Sequence, residues 1–281
     1  MRKSPYKLAC SFLVALAGGV MALAGCAQPA PGPITFDTHG VAPALDYSPL
    51  AAVLAGAVTR DGLVNPSSLK DSQEALDRQL ELLAVTGPTR TPGLLTNPDD
   101  RLAYWFNARA AWAMKLVLLA GCPRSVDRPE ILPDRQFILD GRLMTLRQID
   151  SVLAGDSDWR TLVVAPCVCL ERAALPAAPF YGWNIRQVIT QRFNDLIADQ
   201  RRFTIDIGRQ QVVVPTPLWD IRHRLIRDYE TTYCSRDATL LTALLPYLEG
   251  TALLRVRDAA GYACVPHQAP PWHIALTKHD W

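Results

Sequence analysis

The sequence has no basic tract and no patch in which basic and aromatic residues alternate. Its 29 Lys and Arg residues nearly balance its 27 Asp and Glu residues, so the formal net charge is only +2. Nucleic-acid binding relies on concentrated positive charge and aromatic stacking. The composition therefore argues against a nucleic-acid partner. We expect Arg201 and Arg202, and the set Arg222, Arg224 and Arg227, to lie on solvated helix faces.

Histidine is scarce, with five residues and none between His39 and His223. The histidines are scattered and do not pair on one helix face. The sequence also lacks the Cys-x-x-Cys spacing that is typical of structural zinc. His267, His273 and His279 fall near the C-terminal end, as histidines do in many ordinary tails. We therefore expect neither a metal nor another cofactor.

Residues 1–25 have the layout of a secretory signal, with three basic residues before an apolar run from Leu8 to Leu23. The run ends in Leu23-Ala24-Gly25-Cys26, which resembles a bacterial lipobox. In that motif the cysteine is acylated, for example with palmitate, and becomes the mature N-terminus. Ala27 follows in place of Asp, a pattern that favours the outer membrane. The expected location is the cell envelope, with the protein facing the periplasm.

A transmembrane anchor is the alternative, because the stretch from Leu8 to Gly25 spans 18 residues, near the lower limit for crossing a bilayer. Gly18-Gly19 within the run and the loop-like Ala27–Pro33 after it count against an anchor. Two or more acyl chains hold a protein stably on a membrane, and mature lipoproteins typically carry three. Acylated Cys26 would therefore be a sufficient membrane attachment.

Without residues 1–25, 256 residues remain, with 26 basic and 27 acidic side chains. Residues 26–45 are rich in Pro, Ala and Gly and predict a flexible tether. Residues 46–281 are long enough for one globular domain with a sizeable core. An exported chain favours one or two disulfides, yet an odd number of cysteines leaves at least one thiol free. The cysteines in question are Cys122, Cys167, Cys169, Cys234 and Cys264.

Apolar periodicity predicts a helix-rich single domain of the α+β class, with two β-hairpins and a small sheet. The longest helix starts at Asn97-Pro98, where Asn caps and Pro fits the first turn. It is apolar nearly all round, so we expect it at the centre of the fold. Asp140-Gly141 predicts a type I′ hairpin turn, and Thr145 with Gln148 predicts a capping box. Further helices are predicted over Leu50–Val58, Ser67–Val85, Asn184–Asp199, Leu218–Tyr229 and Asp237–Leu248, a buried strand over Leu162–Val164, and a second hairpin turning near Gly208.

Five motifs, in order, resemble the family called domain of unknown function 547, over roughly Tyr47 to Tyr229. The motifs are Asp61-Gly62-Leu63-Val64-Asn65 with the leucines that follow it, Ala103–Ala111, Asp140–Ile149, Asp158-Trp159-Arg160 before Cys167 or Cys169, and Leu218-Trp219 with Asp228-Tyr229. The resemblance implies no settled activity. Members of that family are often exported, which agrees with the lipobox.

The chain departs from the family pattern at polar positions. The segment that holds a histidine before the cysteine reads Thr161–Cys167 here, without histidine. The Asn-x-Tyr-Asn triplet reads Asn107-Ala108-Arg109-Ala110, which loses two polar groups. If the family pattern supports a Cys–His site, the resemblance implies that this chain lacks it.

Cys167 and Cys169 are the candidate nucleophiles, because a thiol becomes reactive when a cation, a base or a helix N-terminus lowers its pKa. A distant His223, His267 or His273 could supply the base. Alternatively, the two cysteines pack as small apolar groups, or one of them forms a disulfide with another cysteine.

Asn107 could be catalytic, but in an apolar helix it is more often a structural tie. Arg109 and Glu171 could pair with each other. Trp105, Trp112 and Trp159 favour a place in the core over a sugar-binding platform.

The favoured function is an exported, lipid-anchored envelope protein with a non-catalytic binding or scaffolding role, with a peptide or cell-wall component as ligand. The alternative is a cysteine-dependent hydrolase or acyl-transfer enzyme with papain-like or transglutaminase-like chemistry.

Overall fold

Helices dominate the computed structural model, which describes residues 32–126, 134–267 and 272–277. The predicted α+β class is confirmed. The chain divides into the units Met1–Gly32 and Pro33–Trp281, and the described residues belong to the second apart from Gly32. The α-helices of the described part are α1 (Ser48–Ala57), α2 (Pro66–Asp71), α3 (Gln73–Val85), α4 (Pro98–Leu119), α5 (Leu146–Ala154), α6 (Arg160–Val163), α7 (Ile185–Ala198), α8 (Thr216–Asp220), α9 (Arg222–Tyr233), α10 (Leu240–Leu244) and α11 (Gly250–Asp258).

The strands of the described part are short and form three small sheets. They are β1 (Ser125–Val126), β2 (Phe137–Leu139), β3 (Arg142–Met144), β4 (Thr204–Asp206), β5 (Gln211–Val214), β6 (Ala263–Pro266) and β7 (Trp272–His273). Both predicted hairpins are confirmed, as the antiparallel pairs β2–β3 and β4–β5. β6 adds to β5 in parallel, and β7 pairs with β1.

Helix α4 is the core of the fold, as its apolar composition predicts. The Asn97 side chain accepts a hydrogen bond from the Asp99 N–H, and Pro98 occupies the first turn. Every residue from Leu102 to Val117 is buried. The predicted core positions of Trp105, Trp112 and Trp159 are confirmed, since all three are buried. Within the described ranges, neither α4 nor any other helix has the length and hydropathy needed to span a bilayer.

The two predicted local motifs around residue 140 are confirmed. Asp140 and Gly141 have φ of 54° and 70°, the left-handed pair that a type I′ turn requires. The buried Asp140 carboxylate accepts hydrogen bonds from the N–H groups of Thr89 and Arg90. Thr145 and Gln148 form both hydrogen bonds of the capping box at the start of α5.

Four predicted elements differ from the structure. The helix expected over Leu218–Tyr229 is divided at Ile221 into α8 and α9, and the helix expected over Asp237–Leu248 is shortened to α10. The single helix expected over Ser67–Val85 is divided at Ser72 into α2 and α3. The strand expected over Leu162–Val164 is instead the end of the short helix α6. Periodicity cannot separate a strand from a buried helical turn in so short an apolar run. The Asp158 carboxylate accepts a hydrogen bond from the N–H of Arg160, the first residue of this helix.

The compact unit begins at Pro33, earlier than the predicted domain start at residue 46. The Ile34 N–H donates to the Gln136 carbonyl, and the Ile34 carbonyl accepts from the Ile138 N–H. Phe36 lies near Trp112, with ring centroids 5.9 Å apart. The end of the predicted tether therefore packs on the domain. The predicted signal and the first part of the tether lie outside the described residues.

Residues 272–277, which follow β6, pair with three upstream parts of the fold. Their amino-acid composition does not predict this role. β7 pairs Ser125 with His273, and the next residues form bridges from Ile274 to Cys169 and from Leu276 to Val64. Residues 272–277 thus join parts of the chain that are more than a hundred positions upstream. Pairing across such distances has no local signal, which is why the sequence predicts only an aromatic-rich tail there.

Candidate functional site

Cys167 and Cys169 lie side by side in the interior, just after α6. Their sulfur atoms are 2.8 Å apart, and the two residues are 5% and 3% exposed. A disulfide would require about 2.05 Å between the sulfurs. All five cysteines from Cys122 to Cys264 are free thiols, which differs from the expected one or two disulfides. The predicted packing of Cys167 and Cys169 as small buried groups agrees with their burial.

A buried arginine from α4 organises the polar groups around the two thiols. The Arg109 guanidinium donates to both oxygens of Asp150, at 2.6 and 3.2 Å, and to the Pro166 carbonyl. Arg172 donates to the same carboxylate at 3.0 Å. Arg109 therefore pairs with Asp150 on α5, and the expected pairing with Glu171 is wrong. We call Arg109, Asp150, Arg172, Cys167 and Cys169 the thiol network.

The thiol network shifts the pKa values of the two cysteines in opposite directions. The hydrogen bond with Cys169 and the charges of Arg109 and Arg172 lower the pKa of Cys167, despite its burial. The same hydrogen bond, together with burial, raises the pKa of Cys169 well above its usual value. Burial alone would raise the pKa of Asp150, but the two arginines outweigh it and hold that pKa at about 2. The buried pair is thus asymmetric, with Cys167 the more acidic of the two thiols.

Neither thiol forms a hydrogen bond with any of the histidines that the structure describes. The His273 ring lies 3.0 Å from Glu171, measured from Nδ1 to Oε1, and its side chain is 58% exposed. His223 is exposed on α9, and His267 follows β6. Within the described ranges the hydrogen bonds of both sulfur atoms stay inside the Cys-x-Cys segment. The hypothesis that a distant histidine activates Cys167 or Cys169 therefore finds no supporting contact.

Asn107 is a structural tie. Its side-chain N–H donates to the Phe180 carbonyl and its oxygen accepts from the Phe180 N–H, both at 2.8 Å. Asn107 is fully buried and lies outside the thiol network. The two bonds fasten the segment before α7 to the central helix. Cys26, the predicted lipidation site, lies outside the described residues.

Replacing Asn107 with alanine is expected to lower the free energy of unfolding by about 2–4 kcal/mol, because it leaves the buried Phe180 N–H and carbonyl without partners. Urea denaturation measures the change. Asn97→Ala is the matched control: it removes an exposed cap and is expected to cost about 1 kcal/mol. Equal costs for the two variants would contradict the structural role of Asn107.

The sequence gives no signal for Asp150 or Arg172 as partners of Arg109. Each is an ordinary charged residue, and only the packing of α5 and the Cys167–Arg172 segment against α4 brings them together. In the described part of the chain, no cluster of three or more His, Cys, Asp or Glu residues is arranged to hold a metal ion.

No family model matches the chain, and no curated protein or solved structure matches it significantly. The resemblance to domain of unknown function 547 therefore stays a prediction.

Proposed function

We propose that this chain is an exported lipoprotein, attached to the bacterial outer membrane through acyl chains on Cys26, whose domain acts by binding or scaffolding and not by catalysis. The lipobox-like ending of residues 1–25 supports the membrane attachment. The burial of both candidate nucleophiles, at 5% and 3% exposure, is the observation that carries the non-catalytic role.

A nucleophilic thiol needs access to its substrate. An attacking sulfur must come within about 3.5 Å of the reacting carbon, so an almost fully buried sulfur cannot reach it unless the fold opens. The donors around Cys167 are also engaged within the domain, since Arg109 bonds Asp150 and the Pro166 carbonyl. They are therefore not directed at a developing oxyanion. A role in stabilising the packing of α4 against its neighbours accounts for these contacts.

The second candidate is cysteine-dependent hydrolysis or acyl transfer, and one observation favours it. The pKa of Cys167 is lowered, which favours the thiolate, and the thiolate is the nucleophilic form of cysteine. This candidate requires an opening of the domain that exposes the sulfur atom.

Thiol labelling distinguishes the two candidates. In the native, acylated chain in detergent at neutral pH, iodoacetamide is expected to modify exposed Cys234 first. Cys167 and Cys169 are expected to react at least about a hundredfold more slowly, because modification requires a rare opening. Peptide mass mapping over a time course measures each site, and labelling in denaturant confirms that all thiols can react. Native modification of Cys167 ahead of Cys234 would contradict the non-catalytic role and support the second candidate.

A further inference from the structure

Arginines line a cavity of about 330 Å³ on the side of the domain formed by the C-terminal half of α7, the Ala173–Ala177 segment and the Arg60–Gly62 turn. Four of the lining residues are Arg60, Arg192, Arg201 and Arg202, and we call this the arginine cavity. The expected solvated face is wrong for Arg202, whose side chain is only 3% exposed. Arg201 is exposed, as expected, but it lies beyond the end of α7 at Ala198.

Arg202 lines the arginine cavity and has one guanidinium N–H donor without a hydrogen-bond partner in the described structure. Its Nε donates to the Arg172 carbonyl at 2.7 Å, and its Nη1 donates to Asp199. Its Nη2 is buried and has no hydrogen-bond partner in the described structure. A buried guanidinium N–H without an acceptor is costly, and native proteins seldom leave one so. Arg202, which lines the cavity, thus has one donor that the described part of the fold leaves unsatisfied.

Arg192 contributes a second under-paired cation. Nε and Nη2 donate to the backbone carbonyls of Val164 and Ala174. Within the described ranges no carboxylate lies within 4 Å of its guanidinium. Burial, together with the positive charge of Arg202, lowers the pKa of Arg192 to about 10, so it remains a cation at neutral pH. A negative charge in the cavity would relieve this repulsion.

The charges of the lining nearly cancel. The four arginines face three carboxylates, those of Asp61, Asp195 and Asp199. Asp199 is shared by Arg201 and Arg202, at 2.9 Å from Arg201 Nη2. Arg60 is exposed and forms no ion pair in the described part of the chain. The side chains that line the cavity therefore carry a net charge of +1, which matches a ligand group with one negative charge.

We infer that the arginine cavity binds ligands through a single carboxylate group, an inference that rests on the proposed binding function and deepens it. Arginine donates to carboxylates through a planar fork, and such charge-assisted bonds are the stronger ones. Phosphate carries up to two charges near neutral pH and would approach the three lining carboxylates, so it fits less well. The volume lies at the small end of ligand sites and suits an organic acid or the C-terminal end of a short peptide.

Calorimetric titration of the full chain tests the inference and separates the two sources of carboxylate. The probes are acetate, L-alanyl-L-alanine, the C-terminal amide of that dipeptide, and inorganic phosphate. The free dipeptide is expected to bind at least about tenfold more tightly than its amide, because the amide loses a charge-assisted hydrogen bond. Acetate binding equal to that of the dipeptide assigns the site to small acids, and tighter dipeptide binding assigns it to peptide ends.

Two substitutions locate the site. Arg60→Gln is expected to weaken dipeptide binding about tenfold. Its control, Arg209→Gln, removes the same charge from an exposed side chain outside the cavity and is expected to leave the affinity unchanged. Arg202→Gln is expected to abolish binding, and if it fails to fold, Arg60→Gln still tests the site.

Any one of four results would overturn the inference. They are equal affinity for the dipeptide and its amide, tighter binding of phosphate than of the dipeptide, no binding of any probe, and no effect of Arg60→Gln. Rapid native labelling of Cys167 would instead contradict the proposed non-catalytic role and leave the titration result standing. The two failures are therefore distinguishable.

Discussion

Replacing Asp150 with alanine is expected to lower the free energy of unfolding by about 3–5 kcal/mol, which is the usual cost of leaving a buried charge without its partner. Arg109 is 1% exposed and donates to both Asp150 oxygens. Without the carboxylate its guanidinium keeps only the Pro166 carbonyl, and Arg172 loses the same acceptor. Two cations then face each other across a buried gap. Urea denaturation at neutral pH measures the loss.

The control for Asp150→Ala is Asp134→Ala. Asp134 pairs with Arg147, but both side chains are substantially exposed, and such surface pairs contribute about 0–1 kcal/mol. A loss at Asp150 no larger than the loss at Asp134 would show that the thiol network does not stabilise the fold.

The effect of Asp150→Ala is also expected to depend on pH. The two arginines hold the pKa of Asp150 at about 2 in the folded protein, against 3.8 for a free side chain. A group whose folded pKa is depressed stabilises the fold above its unfolded pKa, and this stabilisation is lost as the pH falls through the folded pKa. The difference between wild type and variant should therefore be constant near neutrality and shrink below about pH 4.

Replacing Cys26 with serine is expected to abolish acylation of the protein, because serine provides no thiol for the thioether-linked acyl group. Incorporation of labelled palmitate and the intact mass both measure the loss.

The matched control is Cys234→Ser, which removes an exposed thiol of the domain and is expected to leave the protein acylated and on the membrane. If the wild-type protein carries no acyl group and keeps residues 1–25, the transmembrane alternative is correct and the lipoprotein proposal is wrong.

Elements with a local chemical signal could be predicted from the sequence. Asn97 caps α4, Asp140-Gly141 forms the hairpin turn, and Thr145 starts α5, because each depends on residues within four positions of one another. The parallel pairing of β5 with β6 could not be predicted, since its two strands are about fifty residues apart and nothing in either strand specifies the other. The break at Ser72 also has no strong signal, as no Pro or Gly marks it.

The candidate site likewise combines features that the sequence predicts with features that depend on packing. The Cys-x-Cys spacing directs attention to Cys167 and Cys169, and their proximity follows from the spacing itself. That Arg109 meets Asp150 depends on how α4 and α5 pack. The environment of Arg202 is also set by packing: its sequence neighbours suggest a solvated surface, yet a backbone carbonyl and the Asp199 carboxylate hold it in the interior. Charge in a sequence does not indicate exposure when the partner is a distant backbone atom.

The pairing of residues 272–277 with Val64, Ser125 and Cys169 has a consequence for biogenesis. Those upstream segments lack their hydrogen-bonding partners until the ribosome has released almost the whole chain. Contacts of such long sequence separation form slowly and late. The polypeptide is therefore expected to stay incompletely folded throughout synthesis. This would suit the export that we propose, because a channel for unfolded chains requires an incompletely folded substrate.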